Sequence, residues 1–494
     1  MTAASLPVYS GTQIRESEKP LVDAGEGPAL MRRAAYGLAS CVLGLLRSAG
    51  GSYGARVVGL IGSGNNGGDG LYALAELRSR GVDARAVLVA DRAHPQALEE
   101  FLRAGGRVIT EVPGDTTVLI DAILGTGARD AFTLPDVPGL IASARTSTVV
   151  ACDIPSGVHA DTGRCPGDAL AAQHTVTFGA AKLGLLLGQG GLLSGEIHTV
   201  EIGLADQLPA PAAWELTGPE LSAPRPRPGD HKYTRGILQV VAGSAQFPGA
   251  AELTVGAAIT SGVGMVRLQA ELSVSSSVLQ SWPEAVTSQG RAEKALEGAT
   301  AAAIGPGLGR DRSRQVEAET ILRATVDAQM PCVLDATGLE LLRGDLLSAG
   351  DLGAALILTP HLGEARRIAD ALQDEELQGL FAGEPDTLEA ARALAQALGA
   401  TVLLKGPSTV VAGPDGTAPL IVRSATPGLA TAGTGDVLTG IIGALLATAG
   451  STQNLDFSGI AAEGARLHAA AAQRLDPHGR GHFGASALIG ALRE

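Results

Sequence analysis

The chain predicts an α/β protein of two unlike domains, and three features carry that prediction. From Arg56 to about Gly203, short apolar β-branched runs alternate with longer Ala/Leu/Arg segments of helical period, the pattern of a parallel sheet with crossover helices. Between Ala205 and Asp230 the composition shifts to six prolines, including the run APRPRPGD, which interrupts both periods. Beyond it the strand-then-helix alternation resumes. Residues 1–208 are therefore expected to form the first domain, 209–229 a Pro-rich linker, and 230–494 a second, larger domain.

Composition narrows the class. A chain of 494 residues is long enough to bury two cores, and 67 glycines with only 3% aromatics suit a tightly wound α/β enzyme. A net charge of −14 and a pI near 5.2 oppose a phosphate backbone, and no Lys/Arg stripe offsets them, so a nucleic acid partner is not expected. Cys41, Cys152, Cys165 and Cys332 lie far apart without Cys-x-x-Cys spacing, which argues against a cysteine zinc site or disulfide framework and for a reducing cytoplasm. The start MTAASLPVYSGTQIRESE lacks the basic and apolar regions of a signal peptide. No uninterrupted apolar run reaches about 18 residues, so neither export nor a membrane is expected.

In the first half, residues 11–50 read as two helices, followed by strands in VVGLIGSGNNGGDG, ARAVLVAD, TVLIDAILGTG, TVVACDIPSG and TVTFGAAKLG. Ligands of open parallel sheets bind outside the carboxyl ends of the strands, so these five polar endings outline one cleft. GSGNNGGDG begins with the Gly-x-Gly-x-x-Gly dinucleotide fingerprint, a partial match, since Asp83 opens and Asp91 closes the run that should end in the ribose-binding acid. Asn65, Asn66 and Asp69 exceed what that loop requires. Beside free N–H groups they offer oxygen ligands for a hard cation and polar contacts for a polyphosphate, or simple Asx-turn chemistry. Asp121, Asp153 and Ser156 at neighbouring strand ends add two carboxylates and a hydroxyl, a general acid/base beside a bound cation; taken singly, each Asp is equally a helix cap. Lys182 is either a phosphate contact or a solvated surface lysine.

The second half shows strands in GILQVVAGS, TAAAIGPGLG, PCVLDATGL, ALILTPHLGE and TVLLKGPSTVVAG. ATAGTGDVLTGIIGALLATAG starts an apolar helix with Gly433, Thr434, Gly435 and Asp436, whose N–H groups form an anion hole for a transferring phosphoryl group. Asp436 there can take the proton of an attacking hydroxyl, or simply complement the helix dipole. No Gly-Lys-Ser/Thr follows, so this is not a Walker loop. Lys405 and Thr409 suit nucleotide phosphate or adenosine, while His361 either donates to substrate or caps a helix. The small residues of GIIGALLATAG suit close packing, in a homo-oligomer, which is expected, or against the protein's own sheet.

GSGNNGGDG, DAILGTG, DIPSG and TFGAAKLG, in this order, resemble the NAD(P)H-hydrate epimerase domain, which implies a Rossmann-like fold for the first domain. GDHKYTRG, VVAGSAQFPGAAELT, GPGLG, TPHLGE, LLKG and AGTGDVLTG are similar to the ADP-dependent NAD(P)H-hydrate dehydratase domain of the ribokinase-like superfamily. The resemblance implies that Asn66, Asp121 and Ser156 hold K+, and that Asp153 is catalytic and binds substrate. It implies dinucleotide contacts from Asn65, Asn66, Gly67, Gly68 and Asp69 and from Gly125, Thr126, Gly127, Ala128, Arg129, Asp130 and Ala131, where relatives commonly continue with Arg-Pro. In the second domain it implies Asp436 as catalytic base. Lys405, Gly406, Pro407, Ser408 and Thr409, with Gly433, Thr434, Gly435 and Asp436, become nucleotide contacts, and Ala250, Gly307 and His361 hydrate contacts. Phe247 stands where tyrosine is common, and DATGL replaces an Asp-Ala-Asp pattern at Asp335. The implied activity is repair of hydrated NADH and NADPH by epimerisation and by dehydration with ADP and Mg2+. The alternative is a ribokinase-like kinase of a vitamin-precursor alcohol carrying an N-terminal dinucleotide-sensing domain.

Overall fold

The structure, a computed structural model, describes residues 5–127, 131–218, 228–288, 292–348, 350–383, 385–424, 426–450 and 455–493. The chain divides into two units, Pro7–Ala213 and Trp214–Glu494 with Met1–Leu6.

In the first unit seven strands pair in the order Arg107–Ile109, Asp83–Leu88, Arg56–Ile61, Val118–Ala122, Thr148–Cys152, His174–Phe178 and Glu196–Val200, all parallel. The order reverses between Arg56–Ile61 and Val118–Ala122, the switch point at which a doubly wound sheet opens a crevice. The two helices expected in residues 11–50 are Gly11–Asp23 and Gly27–Ser48. Gly27–Ser48 is long and apolar enough to cross a membrane by length and composition. Its Leu30, Ala34, Leu38, Val42 and Leu46 nevertheless recur every four residues on one buried stripe, packed with Leu71 and Leu74 of helix Asn65–Ser79 in a single core. Val58, Leu60, Leu119, Val149 and Leu140 fill the opposite face of the sheet.

The second unit orders its strands Val286–Ser288, Met265–Gln269, Ile237–Val241, Ala301–Ile304, Cys332–Leu334, Leu356–Leu358 and Thr401–Leu404, all parallel. Ser408–Ala412 and Leu420–Arg423 then continue antiparallel. Ala213–Leu216 pairs with Leu420–Arg423, Trp214 opposite Leu420. The interval 209–229, expected to be linker, thus contains a strand: Pro209 and Pro211 precede it, and its four residues are too few to interrupt a proline-rich composition. Helix Thr434–Ala449 packs on helix Pro248–Thr260 and on the sheet. A Cβ at Gly440 would lie 2.3 Å from the Thr254 carbonyl oxygen, and one at Gly443 3.0 Å from Leu238. The small residues of GIIGALLATAG are used inside the unit, which removes the argument for an oligomer that rested on them.

Candidate active sites

At the switch point of the first unit the chain turns through Gly62, Ser63 and Gly64 directly into helix Asn65–Ser79. The closeness requires glycine: a Cβ at Gly62 would stand 2.0 Å from the Ile123 carbonyl oxygen, and one at Gly67 2.1 Å from that of Gly62. A cleft of about 940 Å³ results, lined by Asn65, Asn66, Asp69 and Asp153 and by the Gly125-Thr126-Gly127 turn. Gly67 and Gly68 do not line it. They are buried in the first helical turn, where they admit the Gly62 loop and the His94 ring. Ala131 is exposed outside the cleft lining, and Ala128, Arg129 and Asp130 lie outside the described residues. Asp83 bonds Arg56 and Arg85, and Asp91 is absent from the lining, so neither takes the position of a ribose-binding acid.

Asn66 and Ser156 meet at the Leu124 peptide, and Ser156 joins them to Asp121. Fully buried Asp121 accepts from Ser156 Oγ (2.6 Å), Ser156 N (2.8 Å) and Ile123 N (3.3 Å). Asn66 Nδ2 donates to the Leu124 carbonyl (3.0 Å), and Ser156 Oγ accepts from Leu124 N (2.9 Å). Burial raises the Asp121 pKa, against the Ser156 bonds that lower it. A buried carboxylate compensated only by dipoles is expensive to ionise. The converging amide, hydroxyl, carboxyl and carbonyl oxygens suit a hard cation.

Asp153 directly follows strand Thr148–Cys152 in the left-handed region at φ 67°, a strained conformation for a residue with a Cβ. Its Oδ1 accepts from Phe178 N (3.1 Å), Thr177 Oγ1 (3.2 Å) and Lys182 Nζ. Lys182 is 1% exposed and also donates to Thr177 Oγ1 and to the Phe178 carbonyl, so its three protons are committed. It is neither a surface lysine nor a phosphate contact. Parallel pairing of Ala181–Lys182 with Val8 and Tyr9 holds it there. Across the same cleft Asp69 Oδ1 is buried without a hydrogen-bond partner. Burial, then the charges of Asp153 and Glu18, push its carboxyl well above the usual range, opposed by Lys182. A carboxyl raised in this way holds its proton more tightly than an exposed one. Glu18, from helix Gly11–Asp23, is raised as well, by burial and then by Asp153. Arg15 of that helix donates to the Thr126 carbonyl (2.7 Å) and pins the Gly125–Gly127 turn.

In the second unit Gly433, at φ 89°, caps helix Thr434–Ala449 and places Asp436 in its first turn. Burial, then the charge of Asp335, push the Asp436 pKa up to about 7, against the lowering effect of Lys405. Asp335 accepts from Lys405 Nζ (2.7 Å) and from Thr439 Oγ1 (2.8 Å), so the nearby ammonium is bonded to Asp335. A Cβ at Gly435 would lie 3.6 Å from both Asp335 Oδ2 and Lys405 Nζ, which sets this helix start directly against that pair. Thr434 turns its hydroxyl to the Leu429 and Thr431 carbonyls (2.7 and 2.9 Å). Gly406 and Pro407 form the exposed turn into Ser408–Ala412, where Thr409 pairs with Val422. Ala250 and Gly307 do meet, since a Cβ on Gly307 would stand 2.6 Å from that of Ala250. His361 is a helix cap. Its Nδ1 accepts from Gly363 N (3.0 Å) and Glu364 N (3.3 Å), and Glu364 returns the bond to His361 N (2.8 Å).

Residues 238–485 match the family described as NAD(P)H-hydrate dehydratase, and residues 27–184 match YjeF-related protein N-terminus. The chain is 40% identical over 445 residues to the bifunctional NAD(P)H-hydrate repair enzyme Nnr of Mycobacterium tuberculosis, across 89% of each chain. It belongs to the bifunctional NAD(P)H-hydrate repair enzyme family. The Escherichia coli repair enzyme of that name is 35% identical over 438 residues, covering 84% of this chain and 80% of its own. Among solved structures, an ADP/ATP-dependent NAD(P)H-hydrate dehydratase from Bacillus subtilis, co-crystallised with ATP and Mg2+, is 28% identical at a TM-score of 0.42, over 55% of this chain and 91% of its own.

Several groups of this repair-enzyme chain that flank the two aspartates escaped sequence reasoning. Thr439 carried a signal, one helical turn beyond Gly435 in TGDVLTG. Asp335 stood at a strand end like Asp121, but a missing second acid drew attention away from it. Arg15 and Glu18 carried none, because only folding brings helix Gly11–Asp23 to the cleft.

Proposed function

We propose that the first unit interconverts the R and S hydrates of NADH and NADPH, and that the second dehydrates the S hydrate at the expense of ADP. The observation that supports this most is the presence, in one chain of this family, of two differently poised carboxylates: Asp153 against a buried ammonium, and Asp436 with a pKa pushed to about 7. Hydration leaves a hydroxyl on carbon 6 of the reduced ring, beside the ring nitrogen. In the first cleft the nitrogen lone pair expels that hydroxyl as water once a proton reaches it, giving an iminium, and water re-adds to either face with loss of a proton. Asp69, whose carboxyl burial holds above the usual range, is suited to give the proton and Asp153 to receive it. Asn66, Asp121 and Ser156 would hold K+, whose charge offsets that of buried Asp121. In the second unit Asp436 takes the proton of the same hydroxyl as its oxygen accepts the terminal phosphoryl group of ADP, leaving AMP. The nitrogen lone pair then expels phosphate, and loss of a proton from carbon 5 restores the ring. The Gly433 and Gly435 N–H groups would face the transferring group, and Mg2+ would neutralise the nucleotide phosphates. The wide spacing of Cys41, Cys152, Cys165 and Cys332, without a Cys-x-x-Cys pair, supports a cytoplasmic location.

The test adds the full chain, ADP and Mg2+ to a mixture of both hydrates while following the reduced-nicotinamide absorbance and phosphate release. Recovery beyond the S fraction, matched by phosphate, is expected, with Asp153→Asn promptly recovering the S fraction alone. No recovery with ADP or ATP would overturn the proposal in favour of the small-molecule kinase, which accumulates a phosphorylated acceptor.

A further inference from the structure

A polar cluster on the first unit lies outside both clefts. His174 opens strand His174–Phe178, and Glu196 and His198 belong to the neighbouring edge strand Glu196–Val200. Parallel register sets His174 opposite Glu196 and Val176 opposite His198. Side chains two apart on a strand share a face, so all three project from one side of the sheet. This is the side that helix Gly27–Ser48 covers farther along, because a Cβ at Gly37 of that helix would stand 2.4 Å from Val200.

His174 Nδ1 lies 3.1 Å from His198 Nε2 and 3.4 Å from Glu196 Oε2, and His198 Nε2 lies 4.0 Å from the same carboxylate oxygen. Two imidazole nitrogens this close share a single proton or, having lost it, turn two lone pairs toward one point. Ligands about 2.0–2.1 Å from a tetrahedral Zn2+ are about 3.3 Å from one another, so the triangle needs only small side-chain rotations to close on such an ion. We propose that His174, Glu196 and His198 form a site for a divalent transition metal of the zinc class.

The donor chemistry selects the metal. Two imidazoles and one carboxylate are borderline ligands that favour Zn2+, Cu2+ or Ni2+ over Mg2+ or Ca2+, and three protein ligands leave a coordination position for water. Glu196 is 68% exposed on its side chain, which leaves the cluster open to ions in solution. The site sits at the start of strand His174–Phe178, roughly 13 Å along the strand from the cleft residue Phe178. It is therefore separate from the proposed K+ ligands and clasps the edge strand to its neighbour. It was not visible in the sequence because no short spacing joins residue 174 to residues 196 and 198; the strand pairing does so.

The chelator-treated full chain, titrated with Zn2+ by calorimetry and with Co2+ by visible absorption, tests this. Wild type is expected to bind one Zn2+, to develop the intense visible bands of tetrahedral Co2+, and to gain thermal stability with Zn2+. His174→Gln and His198→Gln should each weaken Zn2+ binding at least about tenfold and abolish the cobalt bands. Glu196→Gln, at an exposed position that leaves folding undisturbed, should weaken binding while preserving the melting temperature of the metal-free chain. Zn2+ binding that is unchanged in Glu196→Gln and in the histidine variants, or a wild-type chain without one-to-one binding, would overturn the proposal and leave a hydrogen-bonded histidine pair.

Discussion

The two aspartates assigned to chemistry are held by opposite means. Asp153 follows a strand at φ 67° and meets a buried lysine that has no other carboxylate among its hydrogen-bond partners. Asp436 starts a helix, and the lysine near it is hydrogen-bonded to Asp335 instead, so that burial and Asp335 raise its pKa to about 7. Residue type is the same; the placement of one ammonium differs. In the first cleft it is Asp69, across from a compensated carboxylate, whose pKa burial raises, whereas in the second the candidate base itself is poised near neutrality.

The strongest way to break this comparison is to silence each aspartate alone. Asp153→Asn should lower the rate of R-to-S conversion, followed chromatographically, by about 10²–10⁴-fold. It should leave dehydration of pure S hydrate unchanged. Asp436→Asn should do the reverse, measured as phosphate release from the S hydrate with ADP. If either substitution abolishes both reactions, the two carboxylates are not independent centres.

How far the sequence disclosed these differences follows from what each feature depends on. Strand-end chemistry depends on local order: GSGNNGGDG, DAILGTG and DIPSG placed Asn66, Asp121, Asp153 and Ser156 at neighbouring ends of one sheet, and the structure brings them together. Edge strands were less legible. Glu196–Val200 is largely polar, and Val286–Ser288 at the edge of the second sheet has only three residues, so neither forms an apolar run. The electrostatics were illegible, because they depend on where a long side chain ends. Nothing in TFGAAKLG says that Lys182 turns inward to Asp153, nor in LLKGPST that Lys405 reaches Asp335. The Gly67-Gly68 pair was hard to read for a related reason: a glycine beside a ligand and a glycine beneath a helix look alike in sequence.

Removing each lysine sharpens the comparison at the level of stability. Lys182 is 1% exposed, and Lys182→Met leaves Asp153 without its ammonium, a change expected to cost about 3–5 kcal/mol. Lys405 is 22% exposed on its side chain, and Asp335 keeps the Thr439 hydroxyl, so Lys405→Met should cost less. Denaturant melts of the two variants should rank in that order. The opposite ranking would mean that Asp153 is compensated by its backbone and hydroxyl donors alone.

The smallest effect concerns pH and the second cleft only. Asp436 binds its proton more tightly folded, at about 7, than unfolded, at about 3.9. The stability linked to this proton is fully present below about pH 4 and declines as pH rises, until it is lost above about pH 7. Asp436→Asn, which has no such proton, should therefore melt increasingly above wild type between those limits, and the gap should stop widening near neutrality. The base is active only when deprotonated, so the dehydratase rate should rise with pH through about 7. Asp335→Asn removes the like charge that raises Asp436 while Lys405 stays to lower it, and both effects act in one direction. The rising limb of the Asp335→Asn rate profile should move to lower pH, although burial, the larger cause, keeps it above the range of an exposed carboxylate. A limb that stays in place or moves upward would show that Asp335 acts on the reaction by positioning Lys405 and not through its charge on Asp436.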